Sequence, residues 1–120
     1  MKTLFDKIWD SHVVKQVEGG PSVLYIDRHF IHEVTSPVAF LGLEKRGLKV
    51  LRPAQTIATP DHNVPTINQN LSIKDELSRN QVEMLKKNCV NHGIVYHGLG
   101  TEGHGVVHII GPEMGITQPG

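Results

Sequence analysis

The sequence is short of cysteine, of aromatic residues and of any excess charge. Its single cysteine, Cys89, excludes an internal disulfide and cannot by itself hold a structural zinc ion or an iron–sulfur cluster, which need several ligands. Twelve basic residues balance 12 acidic ones. Because nucleic acids and anionic membranes are bound by clustered Lys and Arg, we expect neither as a partner.

Long apolar runs are also missing. No stretch approaches the length that a membrane-spanning helix needs. The N-terminus carries Asp6 and Asp10 where a signal peptide requires an uninterrupted apolar segment, so a cytoplasmic location is expected. With 120 residues, 38% of them hydrophobic and 20% charged, the chain has the length and composition of one ordinary globular domain.

Three helices are predicted from apolar spacing and end signals. Thr3 is a suitable N-cap for the first, whose apolar face carries Leu4, Phe5, Ile8 and Trp9 and is expected to pack on the domain. The second begins at Ser36-Pro37 and stops at Gly47. The third spans residues 78–91, and Cys89 lies on its apolar face, which makes it a core residue in our interpretation.

Runs of β-branched and apolar residues predict the strands. They lie at residues 22–28, 48–51, 56–59, 94–97 and 106–110. His29 to Glu33 is the next polar group after the first of these strands, and residues 64–77 are interpreted as a loop. Alternating strands and helices predict an α/β fold, a layered α/β/α domain with a largely parallel sheet.

The stretch RPAQTIATPDHN, residues 52–63, supplies the first candidate site. Pro60 has no N–H for a further strand bond, so the strand ends there and delivers Asp61 and His62 onto a loop. Loops fixed by a rigid sheet are where α/β folds usually place their chemistry. The alternative is that Asp61 only closes a turn through backbone hydrogen bonds.

Two further patterns lie near the C-terminal end. His104 and His108 would share one face of a predicted strand, because their spacing is an even number. The segment GLGTEG, residues 98–103, matches the G-x-G-x-x-G pattern of dinucleotide sites. Because it leads into the β-rich VVHII and not into a helix, we interpret it as a turn.

Several motifs together resemble one known family. They are TSP at 35–37, RP at 52–53, PDHNVPT at 60–66 and GVVHIIGPE at 105–113, supported by FDKIWDSHVV and YIDRHFIHEVTSP upstream. This set is similar, across nearly the whole chain, to the N-terminal segment of 3-isopropylmalate dehydratase large subunits in the aconitase superfamily. The resemblance implies that residues 1–120 are the N-terminal portion of an aconitase-type domain, truncated at Gly120.

The same resemblance implies a hydro-lyase that isomerises 2-isopropylmalate and 3-isopropylmalate in leucine biosynthesis, paired with a small subunit as a heterodimer. A [4Fe–4S] cluster would be ligated by cysteines outside these residues, with no metal ligand in this chain. Asp61 and His62 match the family's catalytic aspartate–histidine pair, and His108 matches a second catalytic histidine. His32 aligns with a substrate-contact position that is glutamine in the aconitases.

Two other classes of protein stay open at this point. A zinc-dependent hydrolase would use Asp61, His62, His104 and His108 as metal ligands. A non-catalytic α/β ligand-binding domain would use the same histidines structurally. The hydrolase requires all four side chains to meet at one site, which the fold can test.

Overall fold

The computed structural model describes residues 1–117. Within them the elements, in chain order, are α1 (Leu4–His12), β1 (Val13–Gln16), β2 (Ser22–Leu24), β3 (His29–Ile31), α2 (Ser36–Lys45), β4 (Thr56–Ala58), α3 (Glu76–His92), β5 (Val95–Tyr96) and α4 (Val107–Glu113). A 3₁₀ turn, Pro53–Gln55, leads into β4. The chain is therefore a mixture of helices and short strands, as the sequence predicts.

Strands β3, β4 and β5 form a parallel sheet in that order. Parallel neighbours need a crossover connection, and α2 and α3 provide the two crossovers. Ile57 of β4 pairs with Phe30 on one side and with Val95 on the other. The predicted α/β class with a parallel sheet is confirmed.

The core lies between this sheet and its two crossover helices. It is a cluster of apolar side chains from both strands and helices: Ile31, Phe40, Ala58, Leu85, Cys89 and Ile94. The third predicted helix is confirmed, but it begins at Glu76, because the Asp75 side chain accepts from the Ser78 N–H and caps it there. The predicted core position of Cys89 is correct.

A second, smaller sheet precedes the parallel one. Strands β1 and β2 form an antiparallel pair, and α1 leads into β1. Thr3 caps α1 as predicted, in a reciprocal capping box with Asp6. However, α1 has no buried residue, so the expectation that its apolar face packs on the domain is wrong.

The chain is also extended for its length. Its Cα radius of gyration is 17.0 Å, against about 13.6 Å for a compact domain of this size. Many large apolar side chains, such as Leu51, Ile26 and Val38, are exposed. The buried core is accordingly confined to the region around β3, β4 and β5.

Two local predictions are wrong. Residues 106–110 are not a strand, since Val106 is the N-cap of α4 and residues 107–110 lie in that helix; a short apolar run fits a helix as well as a strand. Residues 48–51 are not a strand, since the Leu48 N–H returns to the Leu43 carbonyl and completes the end of α2. His29–Ile31, for which the sequence predicted no element, is β3, because pairing with β4 supplies its hydrogen bonds.

Candidate active site at the carboxyl ends of the parallel strands

The ends of β3 and β4 lie side by side. The Thr59 N–H donates to the Ile31 carbonyl at 3.1 Å, which joins the two strands at their last residues. His32 and Glu33 follow β3. Asp61 and His62 follow β4 after Thr59 and Pro60. Parallel strands point their carboxyl ends to the same edge, so the topology brings these four side chains together.

Glu33 is completely buried beneath this edge, with 0% of its surface exposed. Its Oε2 accepts from the Asp61 N–H at 3.1 Å, and its Oε1 accepts from the His62 N–H at 2.8 Å and from the Asn63 N–H. Three successive amides thus converge on one carboxylate, as in the main-chain anion sites of turns. The charge is satisfied by the backbone of the loop that carries Asp61 and His62.

The Asp61 carboxylate is also withdrawn from solvent, with a side chain only 3% exposed. One oxygen, Oδ1, contacts Nδ1 of His62, and Oδ2 accepts from the Val107 N–H at 3.0 Å. A carboxylate only accepts hydrogen bonds, so the hydrogen of the first contact lies on Nδ1. The His62 side chain is 56% exposed, and with the hydrogen on Nδ1 its Nε2 is the acceptor nitrogen of the neutral ring.

A second imidazole lies against the first. The rings of His32 and His62 stack with centroids 4.4 Å apart and planes 21° apart. The Val34 N–H donates to Nδ1 of His32 at 3.3 Å, so in neutral His32 the hydrogen is on Nε2. The predicted substrate-contact residue therefore lies beside His62.

The two later histidines have different surroundings. Nε2 of His104 lies 2.9 Å from the Pro60 carbonyl, to which it donates. His108 is exposed on α4 and directly follows Val107. The hydrogen bond from the Val107 N–H to Asp61 holds the start of α4 against the loop that carries Asp61 and His62. The expectation that His104 and His108 share the face of a strand is wrong, because His104 precedes a helix that contains His108.

The residues of the hydrolase hypothesis do not form one cluster. Among residues 1–117, the group whose possible ligand atoms lie within 4.8 Å of one another is His32, Glu33, Asp61 and His62. Its carboxylates already accept hydrogen bonds from main-chain amides and an imidazole. The bond from Asp61 orients the His62 imidazole, and together these bonds occupy the carboxylate oxygens that a zinc ion would need.

The chain's own thiol does not fit an iron–sulfur cluster. Cys89 is 1% exposed inside the core. Burial raises the pKa of its thiol to about 11, and the thiolate, not the thiol, is the metal ligand. The described residues therefore provide no cysteine ligand for such a cluster.

The glycine-rich segment leads into a helix, so our reason for rejecting a dinucleotide site was wrong. The segment still differs from that motif, since α4 begins at Val107, beyond Gly103, and the first N–H of the helix is bound by Asp61. In a dinucleotide site the helix N-terminus faces the pyrophosphate. The interpretation of residues 98–103 as a turn agrees with the positive φ of 84° at Gly103.

An open cleft of about 490 Å³ adjoins the exposed imidazole of His62. Its walls are largely apolar, with one cationic side chain, and include Val64, Pro65, Ile67, Leu71, Ile73 and Lys74. The cleft lies in the segment that the sequence predicts as a loop. It offers room for a small molecule next to His62.

Sequence reasoning missed Glu33, the residue that joins the two strand ends. It was grouped with the polar residues 29–33, and no motif marks it. The available signal was an acidic residue two positions after the buried Ile31, which ends β3.

None of the helices described over residues 1–117 has the length and apolarity to cross a membrane.

Comparison with known proteins identifies the family. The model of the aconitase family (aconitate hydratase) matches residues 6–120. The 3-isopropylmalate dehydratase large subunits of Flavobacterium johnsoniae and Cytophaga hutchinsonii are 62% and 60% identical to this chain over 119 residues, 99% of its length. That of Bacteroides fragilis is 52% identical over 120 residues. No solved structure matches the chain.

The matched region is a limited part of these relatives. In each of the three, it spans 26% of the relative's own length. The family match nevertheless covers nearly all of the present chain. The chain therefore belongs to the aconitase family.

Proposed function

We propose that this chain forms part of a hydro-lyase that interconverts 2-isopropylmalate and 3-isopropylmalate, by dehydration and rehydration, in leucine biosynthesis. The observation that carries the proposal is the Asp61–His62 pair, whose imidazole is oriented through Nδ1 and is 56% exposed. The names of relatives that are 52–62% identical over the same residues support the substrate.

The reaction requires proton transfer at two places. A carbon-bound hydroxyl leaves as water only when it is protonated or otherwise activated, and the neighbouring C–H proton must pass to a base, which we assign to the small subunit. In our proposal Nε2 of His62 exchanges a proton with the hydroxyl or the water formed from it, while Asp61 fixes the ring. His108, on the helix that Asp61 holds, acts as the second catalytic histidine.

The surroundings of His62 suit this substrate class. We assign His32, stacked on His62, to contact with the substrate. The apolar walls of the adjoining cleft are compatible with a branched alkyl group, and the Lys74 ammonium is compatible with a carboxylate. Binding the side chain of the substrate here would distinguish isopropylmalate from acids that lack an apolar branch.

The remaining parts of the enzyme are assigned outside these residues. We propose that cysteines elsewhere bind the [4Fe–4S] cluster, since Cys89 is a buried thiol. The large-subunit name of the relatives supports a heterodimer with a small subunit. We further propose a cytoplasmic location. The 120-residue chain alone is expected to be inactive.

The test is His62→Ala in the full-length large subunit, assembled with its small subunit. Loss of a general acid–base group typically costs about 10²- to 10⁴-fold in rate, and we expect a fall in kcat within that range. His29→Ala is the matched control, because His29 is an exposed histidine at the opposite end of β3. Equal rates for the two variants, or an unmodified enzyme that does not interconvert the isopropylmalates, would refute the proposal.

A further inference from the structure

We propose that Glu33 is a positioning residue for His62, acting through the main chain of the loop. Its buried carboxylate binds the amides of Asp61, His62 and Asn63 and so determines where the His62 imidazole lies. This inference rests on the proposed function for its effect on turnover. The contact itself can be tested without any assumption about the substrate.

The loop needs an acceptor at this place. The strand bonds of β4 end at Thr59, and Pro60 has no N–H, so the next three amides lie beyond the sheet. Glu33 receives all three of them, two on Oε1 and one on Oε2. Buried amides are almost always paired, so without this carboxylate the loop would have to rearrange.

The position of Glu33 is itself fixed from the strand side. It follows β3 by one residue, and β3 is held in the parallel sheet by β4. Glu33 thus connects the sheet directly to the loop.

Two other bonds complete the attachment of the loop. Nδ2 of Asn63 donates to Oε1 of Gln81 on α3, and the Asp61 carboxylate accepts from Val107 on α4. Neither bond involves the His62 N–H, whereas Glu33 accepts from it at 2.8 Å. Glu33 is therefore the side chain that holds the main chain of His62 directly.

Only a carboxylate has the required acceptors. Glutamine offers one acceptor oxygen. Its NH₂ group is a donor and would face at least one of the three main-chain N–H donors, so that amide would lose its acceptor. Aspartate keeps two oxygens but is shorter by one methylene. Displacing a catalytic group by about 1 Å can cost about 10²-fold in rate, so both substitutions should lower kcat.

The experiment compares Glu33→Gln, Glu33→Asp and the exposed control Glu83→Gln in the full-length enzyme with its small subunit. We expect Glu33→Gln to lower kcat by about 10²-fold with a KM within a few-fold of the unmodified enzyme, because the alignment of His62 is lost while most substrate contacts are kept. Glu33→Asp should recover part of kcat. Glu83→Gln, altered on the outer surface of α3, should match the unmodified enzyme.

Hydrogen exchange of the amides provides the second measurement. In Glu33→Gln, a peptide covering residues 59–66 should exchange about tenfold faster or more, while peptides from α3 keep their protection. Unchanged exchange at residues 61–63 would overturn the proposal even if the enzyme proves to act on another substrate. Faster exchange with an unchanged kcat would overturn the positioning role.

The aspartate variant covers the case in which Glu33→Gln does not fold. Glu33→Asp retains the charge and both acceptors, so the fold is expected to survive. Faster exchange at residues 61–63 together with a lower kcat would support the proposal. Exchange and kcat that both equal those of the unmodified enzyme would overturn it.

Discussion

The N-terminal unit, residues 3–28, and the sheet unit, residues 29–113, both contain well-capped helices but differ in what those helices bury. In the first, Thr3 and Asp6 cap α1 reciprocally, yet Phe5 on its apolar face is 50% exposed. In the second, Asp75 caps α3, and Leu85 is 0% exposed. Local signals suffice to form a helix, whereas stability depends on a partner surface for its apolar face.

One contact between the two units is exposed and polar: the Arg52 guanidinium lies 5.5 Å from the centre of the Tyr25 ring. Within the N-terminal unit itself, Nε2 of His12 lies 3.3 Å from Oδ2 of Asp27. A contact of either kind contributes at most about 1 kcal/mol. The comparison therefore predicts that substitutions in the two units have different consequences.

The largest loss of stability is expected from a cavity in the core of the sheet unit. Leu85→Ala removes a fully buried side chain and should lower the free energy of unfolding by about 2–5 kcal/mol. Phe5→Ala, which removes only a stacking contact with Trp9, should cost about 1 kcal/mol or less. Denaturant unfolding of both variants measures the difference, and equal losses would show that α1 contributes to the same core.

The next effect concerns catalysis and not stability. Asp61 accepts from two donors, so in Asp61→Asn one of them must face an NH₂ group or His62 must change tautomer. We expect kcat of the assembled enzyme to fall by about 10²-fold or more. Asp10→Asn, an exposed charge removal on α1, is the control. A rate for Asp61→Asn equal to that of the control would assign Asp61 only to closing the turn.

A smaller effect separates the helix caps. Asp75→Ala should cost about 1 kcal/mol of global stability, because α3 forms part of the core. Thr3→Ala should reduce the helicity of α1 while leaving the global unfolding midpoint nearly unchanged, since no residue of α1 is buried in the core. Circular dichroism and denaturant unfolding measure these two quantities. A midpoint shift from Thr3→Ala as large as that from Asp75→Ala would contradict the comparison.

The smallest effect depends on pH. The Ile8 carbonyl, and then Asp27, raise the pKa of His12 above its ordinary value of 6.5. The associated stabilisation is therefore fully present below about pH 6.5 and is lost as the pH rises through the folded-state pKa. In Asp27→Asn, NMR titration should show the His12 pKa closer to its ordinary value. An unchanged titration would leave the Ile8 carbonyl as its cause.

The sequence predicted well the parts that depend on nearby residues. The cap of α1, the stops of α2 and α3, the strand at Thr56–Ala58 and the delivery of Asp61 and His62 all follow from local signals. The caps of the other two helices were not predicted, since Ser36 lies inside α2 and the cap of α3 is Asp75. Helix α4 was missed because Val106 provides no side-chain cap, and the acceptor for the Val107 N–H is Asp61, 46 residues away. Glu33 was also missed because its partners are distant in sequence: the three N–H groups that it accepts from lie on the loop after β4.

Because Cys89 is buried, the reactivity of its thiol should report on unfolding of the chain. Its thiol is the only one among the 120 residues, it lies in the core, and its pKa is about 11. Alkylating reagents react with the thiolate, so near neutral pH the folded chain should be almost unreactive, and labelling should follow transient exposure of α3. Pulsed alkylation then measures the opening of the sheet unit in an unmodified sequence.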